Sequence, residues 1–318
     1  MRPDVPNGGE LAWVSIRAPC SRGRAENQDN LVVVDASGVV ATLQDEVLVR
    51  GIHRDWPEGR LRLAVLDGMG GHAKGREIAE RAADLISRLP ARSSHAELCH
   101  DLDTVHTKIW NEMCAASRAP CPGTTLTLLE VPQFQQGKSE GWLFHVGDSR
   151  LYEITPKGEA HCLTVDHVPA TTRALLGVLD ETEWYEAVHM VPHSVLSQAF
   201  GMGGSLGLLN PMPDLDRAGA ELVVLHERNL PPWLRTRGDR RMIEIGPGHQ
   251  YVLATDGAWK VPNPIELINQ WPKWTMGDVS ALGALDGLLS VLRQEGAATG
   301  TRSDNVTMLL LRVPDGSA

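Results

Sequence analysis

The sequence predicts an α+β domain built from layers of sheet and helix. Along the 318 residues, several predicted strands are followed by two helices, a longer series of strands, a helix and a last strand. This order does not alternate strand with helix, as a parallel βαβ sheet would require. In addition, three apolar runs lead directly into an aspartate, and a fourth run is preceded by one. The fold prediction and the site prediction therefore rest on the same strands.

The individual elements follow from hydrophobic periodicity and from turn residues. Apolar and β-branched runs predict strands at residues 11–17, 31–34, 61–66, 124–131, 142–146, 151–154, 222–225, 242–245, 251–255 and 306–313. Helical spacing predicts amphipathic helices at about residues 78–89, 98–113 and 278–294, with residues 165–200 partly helical and residues 51–60 a loop. We expect one domain over residues 11–314, a flexible leader at 1–10 and a tail at 315–318.

Composition narrows the class of protein. A net charge of −10 gives no general attraction to nucleic acid or to anionic membranes, and it suits a protein that concentrates divalent cations. The polar N-terminus has no signal-peptide pattern, and no apolar run approaches the roughly 20 residues that span a bilayer. Five scattered cysteines without a CxxC pair favour reduced thiols over disulfides or a zinc site. We therefore expect a cytoplasmic protein.

Aspartates at strand ends are the candidate metal ligands. The sequences are Leu-Ala-Val-Leu-Asp67-Gly68, Leu-Phe-His-Val-Gly-Asp148 and Val-Leu-Ala-Thr-Asp256-Gly257, and Asp304-Asn305 precedes the last strand. Each Asp-Gly pair taken alone is a common turn signal, because both residues tolerate positive φ. Four such positions in one chain favour a site, since strands of one sheet core can bring their ends to one rim.

The chemistry of clustered carboxylates points to hard cations. Such groups repel one another unless they are protonated or bind cations, and oxygen ligands favour Mg²⁺ or Mn²⁺. Two such ions can share a water, lower its pKa and neutralise charge on a phosphoryl group under attack. Arg24, five residues before Asp29, is suited to hold a phosphate, because a guanidinium binds two phosphate oxygens in a planar fork. A solvated surface arginine is the alternative for that segment taken alone.

Seven short motifs occur in one fixed order along the chain. They are Arg-x-x-Asn-Gln-Asp, Asp-Gly-Met-Gly-Gly-His, Gly-Thr-Thr, Val-Gly-Asp-Ser-Arg, Leu-Thr-x-Asp-His, Ala-Thr-Asp-Gly-Ala-Trp and Ser-Asp-Asn-Val-Thr. This series resembles the metal-dependent protein phosphatase family, the type 2C serine/threonine phosphatases, in their bacterial stand-alone form. The resemblance implies a four-layer α-β-β-α sandwich with two central antiparallel sheets.

The resemblance also implies roles for individual residues. Asp67 would bridge two divalent cations, Mn²⁺ or Mg²⁺, and the Gly68 carbonyl would be a further ligand. The remaining implied roles are one-sided metal ligands at Asp256 and Asp304, a supporting group at Asp29, substrate phosphate binding at Arg24, and a third, weaker ion near Asp148. A hydroxide activated between the two cations would attack phosphorus directly, so Arg24, Asp67 and Asp256 are the implied catalytic residues.

The chain departs from the family pattern at three positions and in one segment. Gln28 replaces a frequent glutamate, which predicts weaker metal affinity. Met69 stands where animal and plant relatives have a histidine proposed as general acid, so the proton donor is unassigned, and His72 is expected to cap or pack. His249 replaces an aspartate in a turn and is expected to be structural. Residues from 163 to about 190 resemble the start of the family's flap, but they match it poorly.

Several functions are compatible with these residues. The resemblance implies hydrolysis of phosphoserine and phosphothreonine on proteins, which would reverse the action of a serine/threonine kinase. The same site could instead serve one dedicated phosphoprotein partner. A phosphoprotein-binding scaffold without activity is the alternative from a different class, although Asp67, Asp256 and Asp304 are all present. A small-molecule phosphoesterase is the fourth possibility.

Overall fold

The structure is a computed structural model of the chain. It describes residues 3–18, 26–69, 73–114, 121–135, 137–191, 195–202, 221–277, 279–299 and 304–315. The strands are β1 (Glu10–Ile16), β2 (Asp29–Val34), β3 (Val39–Gln44), β4 (Val47–Ile52), β5 (Leu61–Met69), β6 (Gly123–Thr124), β7 (Leu126–Val131), β8 (Ser139–Val146), β9 (Arg150–Ile154), β10 (Ala160–Cys162), β11 (Arg240–Ile245), β12 (Gln250–Ala254) and β13 (Val306–Arg312). The helices are α1 (Ala73–Ser87), α2 (His95–Met113), α3 (Pro169–Leu175), α4 (Glu181–Tyr185), α5 (Pro264–Thr275) and α6 (Ala281–Thr299). A π-helical turn, Glu186–Met190, continues α4.

The strands form two antiparallel sheets. The smaller sheet has the order β1-β13-β12-β9-β10, and the larger has the order β11-β8-β7-β5-β2-β3-β4, with β6 paired to the end of β5. The first strand of the chain therefore lies beside the last, with Glu10 opposite Arg312. No adjacent pair of strands in either sheet requires a parallel crossover, which agrees with the predicted α+β class.

Alternating side chains of β2 show how the layers are stacked. Leu31 and Val33 enter a core between the two sheets, whereas Val32 and Val34 enter a second core between the larger sheet and helices α1 and α2. A third core lies between the smaller sheet and helices α5 and α6. Because successive strand residues point to opposite faces, a strand buried on both faces can be apolar at consecutive positions, as Leu31–Val34 of β2 are. The predicted four-layer α-β-β-α sandwich is confirmed.

A fourth, smaller core lies under the region predicted to begin the flap. It gathers residues of α3, of the π-helical turn and of the segments near 196–202 and 225–234, with Trp184 buried at its centre. Met69, the last residue of β5, packs against this core. The segment beside the strand-end aspartates is therefore a packed unit with its own apolar interior.

Four features differ from the sequence predictions. Residues 222–225 form no strand, and α5, which contains Pro272, was not predicted. The hairpin of β3 and β4 was also missed, and β4 extends to Ile52 inside the predicted loop. The predicted flexible leader packs over residues 3–10, because Val5 enters the core between the sheets and Glu10 begins β1.

The cysteines also differ from the prediction. Cys114, after the end of α2, and Cys121 form a disulfide with their Cα atoms 5.2 Å apart, whereas Cys99 and Cys162 are free thiols. Both bonded cysteines flank residues 115–120, so their spacing resembles no CxxC motif and gave no signal. In the described part of the chain, no helix combines the length and apolar composition that crossing a bilayer requires.

Candidate active site

Asp29 and Asp67 lie opposite each other on neighbouring strands. Asp29 is the first residue of β2, Asp67 lies near the end of β5, and the antiparallel register pairs them directly. Side chains at directly opposed positions of an antiparallel pair lie on the same face. The larger sheet therefore presents two carboxylates side by side at one rim.

The smaller sheet contributes two more carboxylates to this rim. Asp256 follows β12, and Asp304 precedes its neighbour β13 by two residues. Thr255 connects the two sheets: its hydroxyl donates to Oδ2 of Asp29 at 2.8 Å, and its backbone N–H donates to the Thr307 carbonyl on β13 at 3.0 Å. Predicted ligands from both ends of the chain therefore meet at one place.

The pKa shifts of the aspartates show that these side chains interact electrostatically. Burial raises the pKa of Asp29 to about 8; the Thr255 hydrogen bond lowers it, and the charges of Asp256 and Asp304 raise it. Burial also raises the pKa of Asp67 well above its ordinary range. The charges of the other four aspartates, Asp256, Asp29, Asp304 and Asp148, add to that shift. We call these five residues the aspartate cluster; without cations it retains protons at neutral pH.

Asp148 joins the cluster from the turn between β8 and β9. It is buried and is preceded by Gly147, whose φ of 106° lies in the left-handed region. A Cβ at Gly147 would also lie 2.6 Å from the Thr125 side chain, so a larger residue cannot replace this glycine without displacing Thr125. The tight turn thus brings Asp148 under the end of β5.

The Gly-Thr-Thr motif fixes the backbone of Asp67. The Thr125 hydroxyl accepts from the Asp67 N–H at 2.8 Å, and the Thr125 N–H donates to the Asp67 carbonyl at 2.9 Å. The Thr124 hydroxyl donates to the same carbonyl at 3.1 Å, and Thr125 also bonds Ser149 beside Asp148 at 2.6 Å. The motif was recognised in the sequence, but this positioning role was not.

The glycines after Asp67 and Asp256 permit close backbone approach. A Cβ at Gly68 would lie 2.0 Å from the Gly75 carbonyl oxygen, and a Cβ at Gly257 would lie 1.9 Å from the Asn305 carbonyl oxygen. Asp67 and Gly68 both belong to β5, so the alternative interpretation of this pair as a turn is wrong. Gly68 thus keeps its backbone close to the start of α1, next to Asp67.

Lys260 supplies a positive charge to the cluster. Its Nζ lies 2.7 Å from Oδ2 of Asp256, four residues earlier. Although burial opposes its charge, attraction to Asp256, and then to Asp148 and Asp304, raises the pKa of Lys260 above its ordinary value. The sequence analysis missed this residue, for which the spacing of four from Asp256 was the available signal.

Arg150 connects the aspartate cluster to the π-helical turn. Its guanidinium is fully buried, donates to Asp166 at 2.7 Å and to the Val188 carbonyl at 2.9 Å, and lies 3.5 Å from the centroid of the Trp259 ring. One buried contact therefore joins three of the sequence motifs. It consists of Arg150 of Val-Gly-Asp-Ser-Arg, Asp166 of Leu-Thr-x-Asp-His and Trp259 of Ala-Thr-Asp-Gly-Ala-Trp. Through it the turn at Asp148 and the turn at Asp256 are held against the π-helical turn.

Chemically, the cluster suits hard divalent cations. Its side-chain ligands are all oxygens, and among the described residues no donor reaches the buried Oδ1 of Asp256. The described residues contain no group of three or more His, Cys, Asp or Glu side chains that is placed to hold a metal ion. One oxygen of Asp256 is bound by Lys260, while the other is buried and has no partner in this part of the chain. By the chemistry of their donors, the residues present fit a cation that enters among mutually repelling carboxylates.

The remaining predicted residues have different placements. Arg24 and His72 lie outside the described residues. Gln28 is buried, and its side-chain amide donates to Glu26 at 2.9 Å. Its backbone carbonyl accepts from the Gly68 N–H. His249 contacts Glu153 at 2.8 Å at the opposite end of β12 from Asp256, in agreement with the predicted structural role.

The same fold occurs in bacterial serine/threonine phosphatases. The chain aligns with the crystal structure of the Mycobacterium tuberculosis serine/threonine phosphatase PstP/Ppp at a TM-score of 0.61 and 20% identity, over 96% of this chain and 99% of that one. The S. agalactiae serine/threonine phosphatase aligns at a TM-score of 0.64 and 18% identity, over 96% and 99% of the two chains. The PstP catalytic domain in complex with two manganese ions aligns at 0.59 and 21%, again over 96% and 99%.

These alignments establish the fold of the chain across nearly its whole length. No protein-family model matches the sequence, and no curated protein sequence matches it. The fold implied by the sequence motifs is thus confirmed by structure at low sequence identity.

Proposed function

We propose that this chain is a metal-dependent protein phosphatase that hydrolyses phosphoserine and phosphothreonine. The observation that carries the proposal is the aspartate cluster itself. Two carboxylates of one sheet and two of the other meet at one rim, with Asp148 beside them, and all four others raise the pKa of Asp67. The shared fold with serine/threonine phosphatases, one of them bound to two manganese ions, supports this chemistry.

The residues of the cluster would hold two divalent cations, Mn²⁺ or Mg²⁺. Asp67, whose pKa is raised by the charges of the four other aspartates, would lie between the two cations. The Gly68 carbonyl would be a neighbouring ligand. Asp256 would contribute Oδ1, which no donor among the described residues reaches, and Asp304 would bind on the same side. Asp29, held by Thr255, would support the arrangement. When bound, the cations would neutralise phosphoryl charge and lower the pKa of an attacking water.

Arg24 would bind the phosphate of the substrate. It lies five residues before Asp29 in the sequence, and its guanidinium matches two phosphate oxygens in a planar fork. Because the fork is permanently charged, it would orient the ester without exchanging protons with it. The substrates would be cytoplasmic phosphoproteins, modified by a serine/threonine kinase.

Phosphate release from a phosphothreonine peptide tests the proposal. The purified chain should release phosphate with Mn²⁺, and EDTA should abolish the release. Asp256→Asn should lower the rate by about 10²-fold or more, the loss typical for one group that stabilises transition-state charge. The matched control is Asp286→Asn on the exposed face of α6, which should leave the rate unchanged.

Three outcomes would redirect the proposal. Activity that survives EDTA would exclude the metal mechanism. Hydrolysis of small phosphate esters, with phosphopeptides left intact, would identify a small-molecule phosphoesterase instead. Tight binding of the phosphopeptide without turnover, together with a biological effect that Asp256→Asn retains, would identify a scaffold.

A further inference from the structure

Lys260 occupies an unusual place for an ammonium group. It follows the short 3-10 turn Asp256–Ala258, and its backbone N–H donates to the Asp256 carbonyl at 2.7 Å. This turn brings the side chain back over Asp256, so that Nζ reaches Oδ2 at 2.7 Å while the lysine side chain is only 21% exposed. The ammonium is therefore built into the cluster by local backbone geometry.

The charge of Lys260 acts on the outer part of the cluster. After Asp256, its attraction is strongest to Asp148 and then to Asp304. Arg150, the buried cation nearest in sequence to Asp148, is already engaged by Asp166, the Val188 carbonyl and the Trp259 ring. Lys260 is thus a positive charge that acts on Asp148 as well as on Asp256.

The pair geometry leaves room for metal ions on the other side. Lys260 holds Oδ2 of Asp256, whereas Oδ1 is buried and receives no donor from the described residues. When one oxygen of a carboxylate is bound, the direction of the other oxygen is fixed. Hydrogen-bond partners of metal ligands orient those ligands in the same way. The ammonium therefore positions Asp256 without competing for its second oxygen, Oδ1.

We propose that Lys260 is a built-in cation that positions Asp256 and takes the place of a third divalent ion beside Asp148. This inference rests on the proposed two-metal function. A fixed ammonium that is bonded to Asp256 and attracted by Asp148 repels a divalent ion and neutralises part of the carboxylate charge that would attract one. The chain consequently works with two cations, and the third, weaker ion that the sequence resemblance implies does not bind while Lys260 is present.

Metal stoichiometry tests the inference directly. The full-length protein is dialysed against Mn²⁺, its bound metal is counted by mass spectrometry, and its affinities are measured by calorimetry. The wild type should bind two ions. Lys260→Gln should bind three, with the affinity for the third ion higher than in the wild type by about 10–100-fold, the usual range for partners of metal ligands.

Two further variants make the result specific. Lys260→Arg keeps the charge and should bind two ions. Lys260→Gln combined with Asp148→Asn should return from three ions to two, because the new ion needs the Asp148 carboxylate. Circular dichroism and thermal melts of each variant establish that the comparison is between folded proteins.

The failures of the two proposals have different signatures. Two ions in both the wild type and Lys260→Gln, or three ions in the wild type, would overturn the role of Lys260 and leave the phosphatase proposal intact. A wild type that takes up no manganese and releases no phosphate would overturn the phosphatase function, and the Lys260 inference with it.

Discussion

Strand β5 carries two buried charge clusters, one toward each end, and they are built in opposite ways. Near its start, Arg62 lies opposite Glu130 of β7, and Arg60 reaches the same carboxylate. Five residues after Arg62, Asp67 enters the aspartate cluster, where five carboxylates lie together and three of them, Asp256, Asp148 and Asp304, attract Lys260. One cluster pairs opposite charges, whereas the other collects like charges.

The hydrogen bonds of the two clusters differ in the same way. Glu130 accepts from Arg60 at 2.6 Å and from Arg62 at 2.5 Å. Arg62 also donates to the carbonyls of Ile86, Leu89 and Pro90, which satisfies acceptors left open at the end of α1. Asp256, by contrast, keeps a buried oxygen without a partner among the described residues. The comparison separates buried charge that stabilises the fold from buried charge that needs a ligand.

The largest expected effect is on stability, at Glu130. Glu130→Gln leaves Arg60 and Arg62 buried without their carboxylate, so the free energy of unfolding should fall by about 3–5 kcal/mol in urea denaturation. The matched control is Glu112→Gln, which breaks the half-exposed pair with Arg81 and should cost at most about 1 kcal/mol. Equal losses in the two variants would contradict the distinction drawn for this cluster.

The next effect has the opposite sign on stability, at Asp67. Asp67→Asn removes a group that the metal-free fold must keep protonated, or charged beside four other aspartates, so in EDTA at pH 8 the protein should melt a few °C higher, on the order of 1 kcal/mol. The rate of phosphate release should fall by about 10²-fold or more. A lower melting temperature in EDTA would show that the Asp67 charge stabilises the metal-free fold, contrary to our interpretation.

The smallest effect is the pH dependence of the metal-free protein. Asp29 has a pKa of about 8 in the fold against 3.8 ordinarily, so between these values the folded state holds a proton that the unfolded state has lost. Stability must then fall as pH rises toward 8. The raised pKa of His167 acts in the same direction. His145, whose pKa burial lowers to about 4, opposes this below pH 6.5, so the test belongs between pH 6.5 and 8.

Thermal melts in EDTA and in Mn²⁺ measure this dependence. In EDTA the melting temperature should drop from pH 6.5 to pH 8. Saturating Mn²⁺ should remove the drop and add about 2.7 kcal/mol at a hundred times its dissociation constant. A metal-free melting temperature that rises over this interval would exclude the raised pKa of Asp29.

Much of the fold was predictable because its strands and long helices have clear periodicity. The hairpin of β3 and β4 was not, since its two-residue turn places Asp45 and Glu46 at φ values of 48° and 63° without the usual glycine or asparagine. Every residue of β4 is exposed, so no buried face requires apolar residues to alternate with polar ones along this strand. Residues 222–225 show the reverse: Leu225 enters the fourth core and Leu222 packs against the core under α1 and α2, but the segment pairs with no strand of the described chain.

The meeting of the candidate aspartates at one rim was predictable, but the residues that support them were not. Asp67 and Asp256 stand at the ends of apolar runs, where a sequence pattern is visible. The roles of Thr125 and Thr255 depend on which strands become neighbours, and Thr255 contacts Asp29 across 226 positions of sequence. Lys260 acts through a local turn, but its importance depends on Asp148, which a different hairpin supplies.

The pairing of β1 with β13 also has a consequence for the order of events during protein synthesis. Asp29 and Asp67 belong to the first quarter of the chain, whereas Asp256 and Asp304 belong to its last quarter. A nascent chain can pack α1 and α2 on the larger sheet early, but the smaller sheet needs a strand that emerges only after residue 304. Such long-range pairing is slow to form. An incomplete chain therefore cannot assemble the rim, and the ability to bind cations should appear last.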